Sequence, residues 1–443
     1  MPDGLSRREF IKTAACAGLA ASAVHAFPRL ARADETRKPN LLFVFSDQHR
    51  AASLGCYGDT EIITPHFDAF AKQGLRLDAA LSNTPVCVPY RASLLTGQYS
   101  SRLGVTGNEL EKDFKPDREK TLGRTFKRAG YACGYIGKWH LPIAPEHLGF
   151  EDYWAYNHAE HTYFKWTYKT GPDDPRTVTD SGFFRPRMET DLALEFMQRQ
   201  KDDPFCLFLS WGPPHTPYDQ CPRKYNHYKH LKRRPNVPND MRAKDYRYYH
   251  GLIEGLDVEF GRLLAELHKL GLSDDTIVVY TSDHGDMMGS QGLMGKCQPY
   301  RESIEIPFLI RFPNRIPAGR TSGAMLAVPD VFPTLAALAG LEVPAGLDGK
   351  DYSPLLLGEE GAKRREYSYL TIAETERKMV WRGIRTGRYL YARDANGPWV
   401  LFDHQEDPCE MENLVNESPK LMKELDDWTR QLMEEQHDQL PDG

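Results

Sequence analysis

Apolar residues fall along this chain in short unbroken runs, separated by longer stretches of helical periodicity. Asn40-Leu41-Leu42-Phe43-Val44-Phe45-Ser46 is one such run. It is aromatic and aliphatic without polar alternation, which predicts a strand buried on both faces. Ala132–Ile136, Pro204–Trp211, Thr276–Ser282 and Pro307–Phe312 read the same way. Between them lie helical segments. Thr64-Pro65 followed by His66–Lys72 and Gly74 has a cap residue, a first-turn proline and a terminal glycine. Thr121–Arg128 and Glu189–Lys201 are helical, as is Ala243–Leu270, which Gly271 ends. Strands alternating with helices predict a doubly wound α/β fold on a mixed sheet covered on both faces.

The pattern changes near residue 365. Tyr367–Ala373, Lys378–Thr386, Arg388–Arg393 and Trp399–Asp403 read as successive short antiparallel strands, and Pro419–Met433 as a closing helix. This predicts a smaller C-terminal α+β subdomain over residues 361–443, after a large domain over 38–360.

The N-terminus is set apart. Ser6-Arg7-Arg8-Glu9-Phe10-Ile11-Lys12 precedes an alanine-rich, weakly apolar run from Thr13 to Ala26, and Ala31-Arg32-Ala33 offers a small-x-small cleavage site. That order is similar to a twin-arginine export signal. Residues 1–33 are therefore set aside from the fold, and a bacterial periplasmic or secreted product is expected. The 443 residues carry a net charge of −6, which argues against a nucleic-acid partner. No internal run is long and apolar enough to insert stably in a bilayer. Cys56, Cys133, Cys206, Cys221, Cys297 and Cys409 are scattered without zinc-like pairs, and their disulfide status stays open.

The chemistry concentrates around Cys87-Val88-Pro89-Tyr90-Arg91-Ala92-Ser93-Leu94-Leu95-Thr96-Gly97. Pro89 and Arg91–Leu95 read as the first turns of a helix, which places Cys87 just before its N-terminus, where unpaired N–H groups favour anions. The stretch resembles the C-x-P-x-R…T-G signature of the type I, formylglycine-dependent sulfatases, in the alkaline phosphatase superfamily. The resemblance implies that an oxidising maturation enzyme converts Cys87 to formylglycine. One hydroxyl of the hydrated aldehyde would attack sulfur, and the second would collapse to C=O and expel sulfate. It also implies an alkaline phosphatase-like fold whose residues 38–360 are catalytic. Leu401-Phe402-Asp403, Asp407-Pro408 and Glu412-Asn413-Leu414 resemble a turn near the end of the same family.

Asp47-Gln48 and Asp283-His284-Gly285 each follow a predicted strand. Ligands of open α/β sheets gather at the carboxyl ends of strands, and oxygen donors with one imidazole suit a divalent cation. By resemblance Asp47, Gln48, Asp283 and His284 bind calcium and modified Cys87 completes the shell. Gln48 stands where many sulfatases carry a second aspartate, which leaves manganese as the alternative ion. Gly137-Lys138-Trp139-His140 is similar to the family's G-K-x-H element. The resemblance implies that Lys138 pairs with sulfate and nucleophile oxygens, and that His140 takes the proton that releases sulfate, work suited to a group titrating near neutrality. It implies that Arg91 holds the nucleophile's oxygen, that His215, in Pro213-Pro214-His215-Thr216-Pro217, protonates the leaving group, and that Lys296 bridges sulfate and leaving group.

The substrate expected from the resemblance is a sulfated small molecule or glycan, with a sulfated carbohydrate preferred. The aromatic segment 151–168 either lines the pocket or packs a surface excursion. The basic segment 222–249, with Arg223, Lys224, Lys229, Lys232, Arg233 and Arg234, either attracts a polyanion or is a solvated face. Two other readings remain: a phosphonate or phosphodiester hydrolase of the same superfamily, and a non-catalytic sulfated-glycan-binding protein.

Overall fold

The run Asn40–Asp47 forms the central strand, β1, and all eight of its residues are buried. Its alternate side chains explain the layering. Leu41, Phe43 and Phe45 enter one hydrophobic cluster, and Leu42 and Val44 enter another on the opposite face. Each such fully buried side chain stabilises the fold by roughly 1.5–3 kcal/mol. The computed structural model describes residues 38–172, 176–229, 232–239, 243–374 and 378–440; the N-terminal segment read as an export signal lies outside them.

The large sheet continues in chain order with β2 (Leu75–Leu81), β3 (Ala132–Lys138), β4 (Tyr153–Asn157), β5 (Lys165–Gly171), β6 (Arg176–Ser181), β7 (Phe205–Pro214), β8 (Thr276–Ser282), β9 (Glu305–Arg311) and β10 (Arg320–Ala327). Its spatial order is β10-β2-β9-β8-β1-β7-β3-β4-β5-β6. Strands β8, β1, β7, β3 and β4 are mutually parallel, while β9, β5 and β6 add antiparallel pairs. Helices Cys87–Thr96, Leu122–Arg128 and Val328–Leu338 cover one face. Helices Pro65–Gln73, Arg185–Arg199 and Ala243–Lys269 cover the other.

The doubly wound mixed sheet is thus as expected, with elements that patterning had not disclosed. Strand β2 alternates Leu75 and Leu77 with Arg76 and Asp78. Helix Val328–Leu338 is masked in the sequence by Pro329 and by Pro333 in its interior. The aromatic segment 151–168 is largely core: Tyr163, Trp166, Tyr168 and Ala155 are buried as β4 and β5 extend the sheet. Helix Pro65–Gln73 lacks the side-chain cap expected of Thr64. Asp257, from the helix packed against it, accepts the His66 and Phe67 N–H groups instead, at 3.2 and 2.8 Å.

The second sheet is antiparallel, β11 (Tyr367–Glu374), β12 (Met379–Thr386), β13 (Tyr389–Asp394) and β14 (Gly397–Asp403). One face shares a hydrophobic cluster with Ala79, Leu81, Val86 and Cys297 of the large sheet's surroundings. The other is covered by helix Pro419–Glu435 through Leu425 and Leu432. All seven cysteines among the described residues are free thiols. No described helix is long and apolar enough to cross a membrane.

Candidate active site

The parallel strands deliver chemistry to one edge of the sheet. β1 and β8 are neighbours with Ser46 paired to Ser282, so Asp47-Gln48 and Asp283-His284 leave the sheet side by side. Helix Cys87–Thr96 begins on the same edge after β2. All ten of its residues are buried, and Gly97 ends it at φ +65°. Cys87 is its first residue rather than the one before it. Donor atoms of Asp47, Cys87, Asp283 and His284 lie within 4.8 Å of one another, with every residue buried.

Burial opposes the charge on Asp47, but Lys138, His215, Lys296 and His284 outweigh it and hold the carboxyl well below its usual range. Burial and the Asp47 charge push Asp283 up. For Cys87, burial and Asp47 raise the thiol, yet Lys138, Lys296 and His284 hold it well below the usual thiol range.

The donor set fits a divalent cation. Two buried carboxylates repel each other here, and Gln48 Oε1 is buried without a hydrogen-bond partner. Its amide is fixed from the other end, where Nε2 donates to Asp286 at 2.5 Å and to Tyr218 at 3.4 Å. Gln48 itself sits at φ +67°, an uncommon backbone state for a non-glycine residue. Asp286 also accepts from the Met288 and Gly295 N–H groups. It was not anticipated from the sequence, although it stands three residues after Asp283.

Lys138 ends β3 and arrives through Gly137, whose φ is +103°. A Cβ there would lie 2.0 Å from the Ser210 carbonyl oxygen, so only glycine lets β3 and β7 approach this closely. Lys138 Nζ hydrogen-bonds Asp47 and lies 3.3 Å from Cys87 Sγ. Lys296 Nζ approaches the same sulfur at 3.1 Å, with His215 Nε2 at 3.0 Å and His284 Nε2 at 3.2 Å. Arg91 turns onto the scaffold instead of onto the sulfur. It donates to the Lys138 carbonyl at 2.6 Å, Ser210 Oγ at 2.9 Å and Asp283 at 3.1 Å. It therefore ties the ends of β3 and β8 to the middle of β7, where one fully buried guanidinium has acceptors from all three.

The imidazoles depart from the expectation of near-neutral titration. Burial and Lys138 push His140 down to about 4, against the opposing influence of Cys87. Burial and Lys296 push His215 down to about 3. His215 Nδ1 is 2.6 Å from the Thr216 carbonyl and Nε2 faces the Lys296 ammonium. The network thus assigns the imidazole proton to Nδ1, and on the Cys87 side of the pair the proton belongs to Lys296. His161, from the aromatic segment 151–168, joins this group, although the sequence assigned it no role of its own. It stacks on His215, its Nε2 is 3.5 Å from Lys138 Nζ, and its Nδ1 is buried without a partner. Its only sequence signal is a histidine within an aromatic segment.

Against this geometry, the family model for sulfatases matches residues 39–341. The chain belongs to the sulfatase family. A second model, that of the N-sulphoglucosamine sulphohydrolase C-terminal region, matches residues 289–439 of this sulfatase. An ulvan-active sulfatase of Formosa agariphila is 36% identical over 417 residues, covering 89% of this chain and 80% of that protein. An endo-4-O-sulfatase of Bacteroides thetaiotaomicron is 31% identical, covering 89% and 91%. A structure solved in complex with its substrate, D-glucosamine-2-N,6-O-disulfate, superposes with a TM-score of 0.77 at 26% identity, over 90% of this chain and 98% of that one. The sulfatase is accordingly an enzyme, a sulfuric ester hydrolase, on the alkaline phosphatase-like fold.

Proposed function

We propose that this sulfatase removes sulfate from a sulfated carbohydrate after export, using a formylglycine made from Cys87 and a divalent cation, calcium, held by Asp47, Gln48, Asp283, His284 and the modified residue. The observation that carries it is the surroundings of one buried position. Cys87 Sγ lies within 3.4 Å of Lys138 Nζ, Lys296 Nζ and His284 Nε2, at the first turn of a buried helix.

When present, hydrated formylglycine supplies an oxygen nucleophile that reverts to an aldehyde, and the cation supplies positive charge beside it. The chain's own groups do the remainder. Lys138 places a fixed charge, and Lys296 a second positive charge until it gives up its proton, where negative charge develops on the sulfuryl oxygens. Arg91 holds the strand ends that carry Lys138 and Asp283. Neutral His140, which follows Lys138 by two residues, accepts the proton whose removal frees sulfate. Lys296, held 3.0 Å from the accepting His215 Nε2, carries the proton of the pair and delivers it to the departing alcohol oxygen.

The names of the ulvan-active and endo-4-O-sulfatase relatives support a carbohydrate substrate, as does the aminosugar sulfate bound in the related structure. The Ser6–Ala33 pattern supports twin-arginine export to the periplasm or beyond. The decisive test is the mass of the peptide spanning Cys87, from protein matured by its native machinery, alongside turnover of defined sulfated saccharides. A formylglycine mass with sulfate release is expected. Full activity with an unmodified thiol would sink the mechanism, and turnover restricted to non-carbohydrate sulfates would sink the substrate class.

A further inference from the structure

A second group of metal-ligating side chains converges among the described residues: Glu111, in the short helix Asn108–Asp113, His140 after β3, and His158 after β4. One donor atom from each lies within 4.8 Å of the other two. The sheet brings them together. β3 and β4 are parallel with Lys138 paired to Asn157. The ladder then runs past both strand ends, where the His140 N–H donates to the His158 carbonyl at 2.7 Å. The two imidazoles consequently leave neighbouring strands together, with ring centroids 5.5 Å apart. His158 Nε2 is 3.1 Å from a Glu111 carboxylate oxygen. His140 Nδ1 is buried and has no hydrogen-bond partner. The His158 side chain is 54% exposed, so solvent ions reach the group.

The two clusters differ in kind. Asp47, Gln48 and Asp283 offer mainly oxygen, as hard cations require. Two imidazoles and one carboxylate form a set that suits a borderline transition ion, with water completing the shell. His140 adjoins both neighbourhoods, since it stands two residues after Lys138, whose Nζ lies 3.3 Å from Cys87 Sγ.

We propose that Glu111, His140 and His158 form a zinc site that inhibits the sulfatase by holding His140 on the metal. The inhibition rests on the proton-accepting role proposed above for His140; the binding does not. Occupancy of the site removes a lone pair and adds positive charge beside position 87, so turnover stops while the fold is unchanged.

The test titrates zinc into full-length matured protein already saturated with calcium. Binding is followed by calorimetry and by competition with a chromogenic zinc indicator, and sulfate release is followed in parallel. Wild type, His158→Ala and Glu111→Gln are compared, each rate being expressed relative to that variant's own zinc-free rate, with thermal melts confirming folding. One zinc per chain is expected, and activity falls along the same curve. His158→Ala weakens both binding and inhibition by at least about tenfold, the scale seen when even an outer-shell partner of a metal is lost. Glu111→Gln shifts both in the same direction. Undiminished zinc inhibition of both variants would overturn the proposal and place the zinc at the Cys87 cluster. Absence of zinc binding to wild type would overturn it too. Zinc binding that both variants weaken, with sulfate release unaffected, would overturn the inhibition and with it the role of His140, separating that failure from failure of the site.

Discussion

His161 and His215 stack face to face, with ring centroids 3.6 Å apart and planes 7° from parallel. The stack fixes the plane of the His215 ring while the Thr216 carbonyl fixes its proton on Nδ1. Replacing His161 by alanine removes one wall of that clamp. A loss of about ten- to a hundredfold in kcat is expected, the scale of a misplaced catalytic group. His161→Phe keeps the stacked face and retains most of the rate. Equal losses in the two variants would show that the nitrogens of His161, rather than its ring face, matter.

His215→Ala is expected to discriminate between leaving groups. A nitrophenolate departs without a proton, whereas a sugar hydroxyl does not, and general acid help is worth about 10²–10⁴-fold. Sulfate release from an alkyl or saccharide sulfate should fall far more than release from a nitrophenyl sulfate. Equal losses on both substrates would remove the Lys296–His215 pair from proton delivery.

Exhaustive chelation of divalent ions is expected to abolish turnover and lower Tm, with calcium or manganese restoring both. The carboxylates of Asp47 and Asp283 are buried together, and a bound cation relieves their repulsion. At a hundredfold excess over Kd, ligand binding adds about 2.7 kcal/mol to stability. Unchanged activity and melting in chelated, ion-free protein would contradict the cation assignment.

Gly137→Ala should be among the more damaging small substitutions in the chain. It combines φ +103° with a Cβ placed 2.0 Å from the Ser210 carbonyl oxygen. A loss of about 3 kcal/mol is expected from overpacking and backbone strain together. Gly130→Ala is the control: φ is +82° but nothing lies within 4 Å. Only the left-handed penalty of about 1–2 kcal/mol applies there. Denaturant unfolding measures both, and similar losses would refute the close-approach explanation.

Asp257 gives a pH dependence with a definite sign. Burial pushes its carboxyl up to about 7, against the opposing hydrogen bonds from Phe67 and His66. In the unfolded chain it titrates near its ordinary value of about 3.9. Between these values the folded state binds more protons, so this group lowers stability as pH rises from about 4 to 7, and the effect is constant above that. Asp257→Asn should flatten that part of the stability curve, read as the difference between variant and wild type at each pH. Parallel curves would show that Asp257 does not titrate in this window.

Much of the site was legible in the chain because its residues occupy local positions that any strand-to-loop exit imposes. Asp47, Lys138 and Asp283 stand where continuous apolar strands end, and Cys87 heads a helix whose apolar run is visible. Local patterning also carried the alternation of strands and helices. Less legible were elements whose signals are weak or masked, among them β2 with its interleaved charges and the proline-bearing helix Val328–Leu338.

The sequence by itself determined which residue types stand at the carboxyl ends of the strands, and hence the family and the kind of chemistry. Only the tertiary structure decided partners. The tilt of Arg91 onto three strands, the burial that drives His140 and His215 below neutrality, and the arrival of His161 and Glu111 depend on segments distant in sequence. Periodicity assigns a side chain to a face of its own element. It carries no information about which side chain of another element stands opposite, because that contact is set by sheet order and packing across the whole chain.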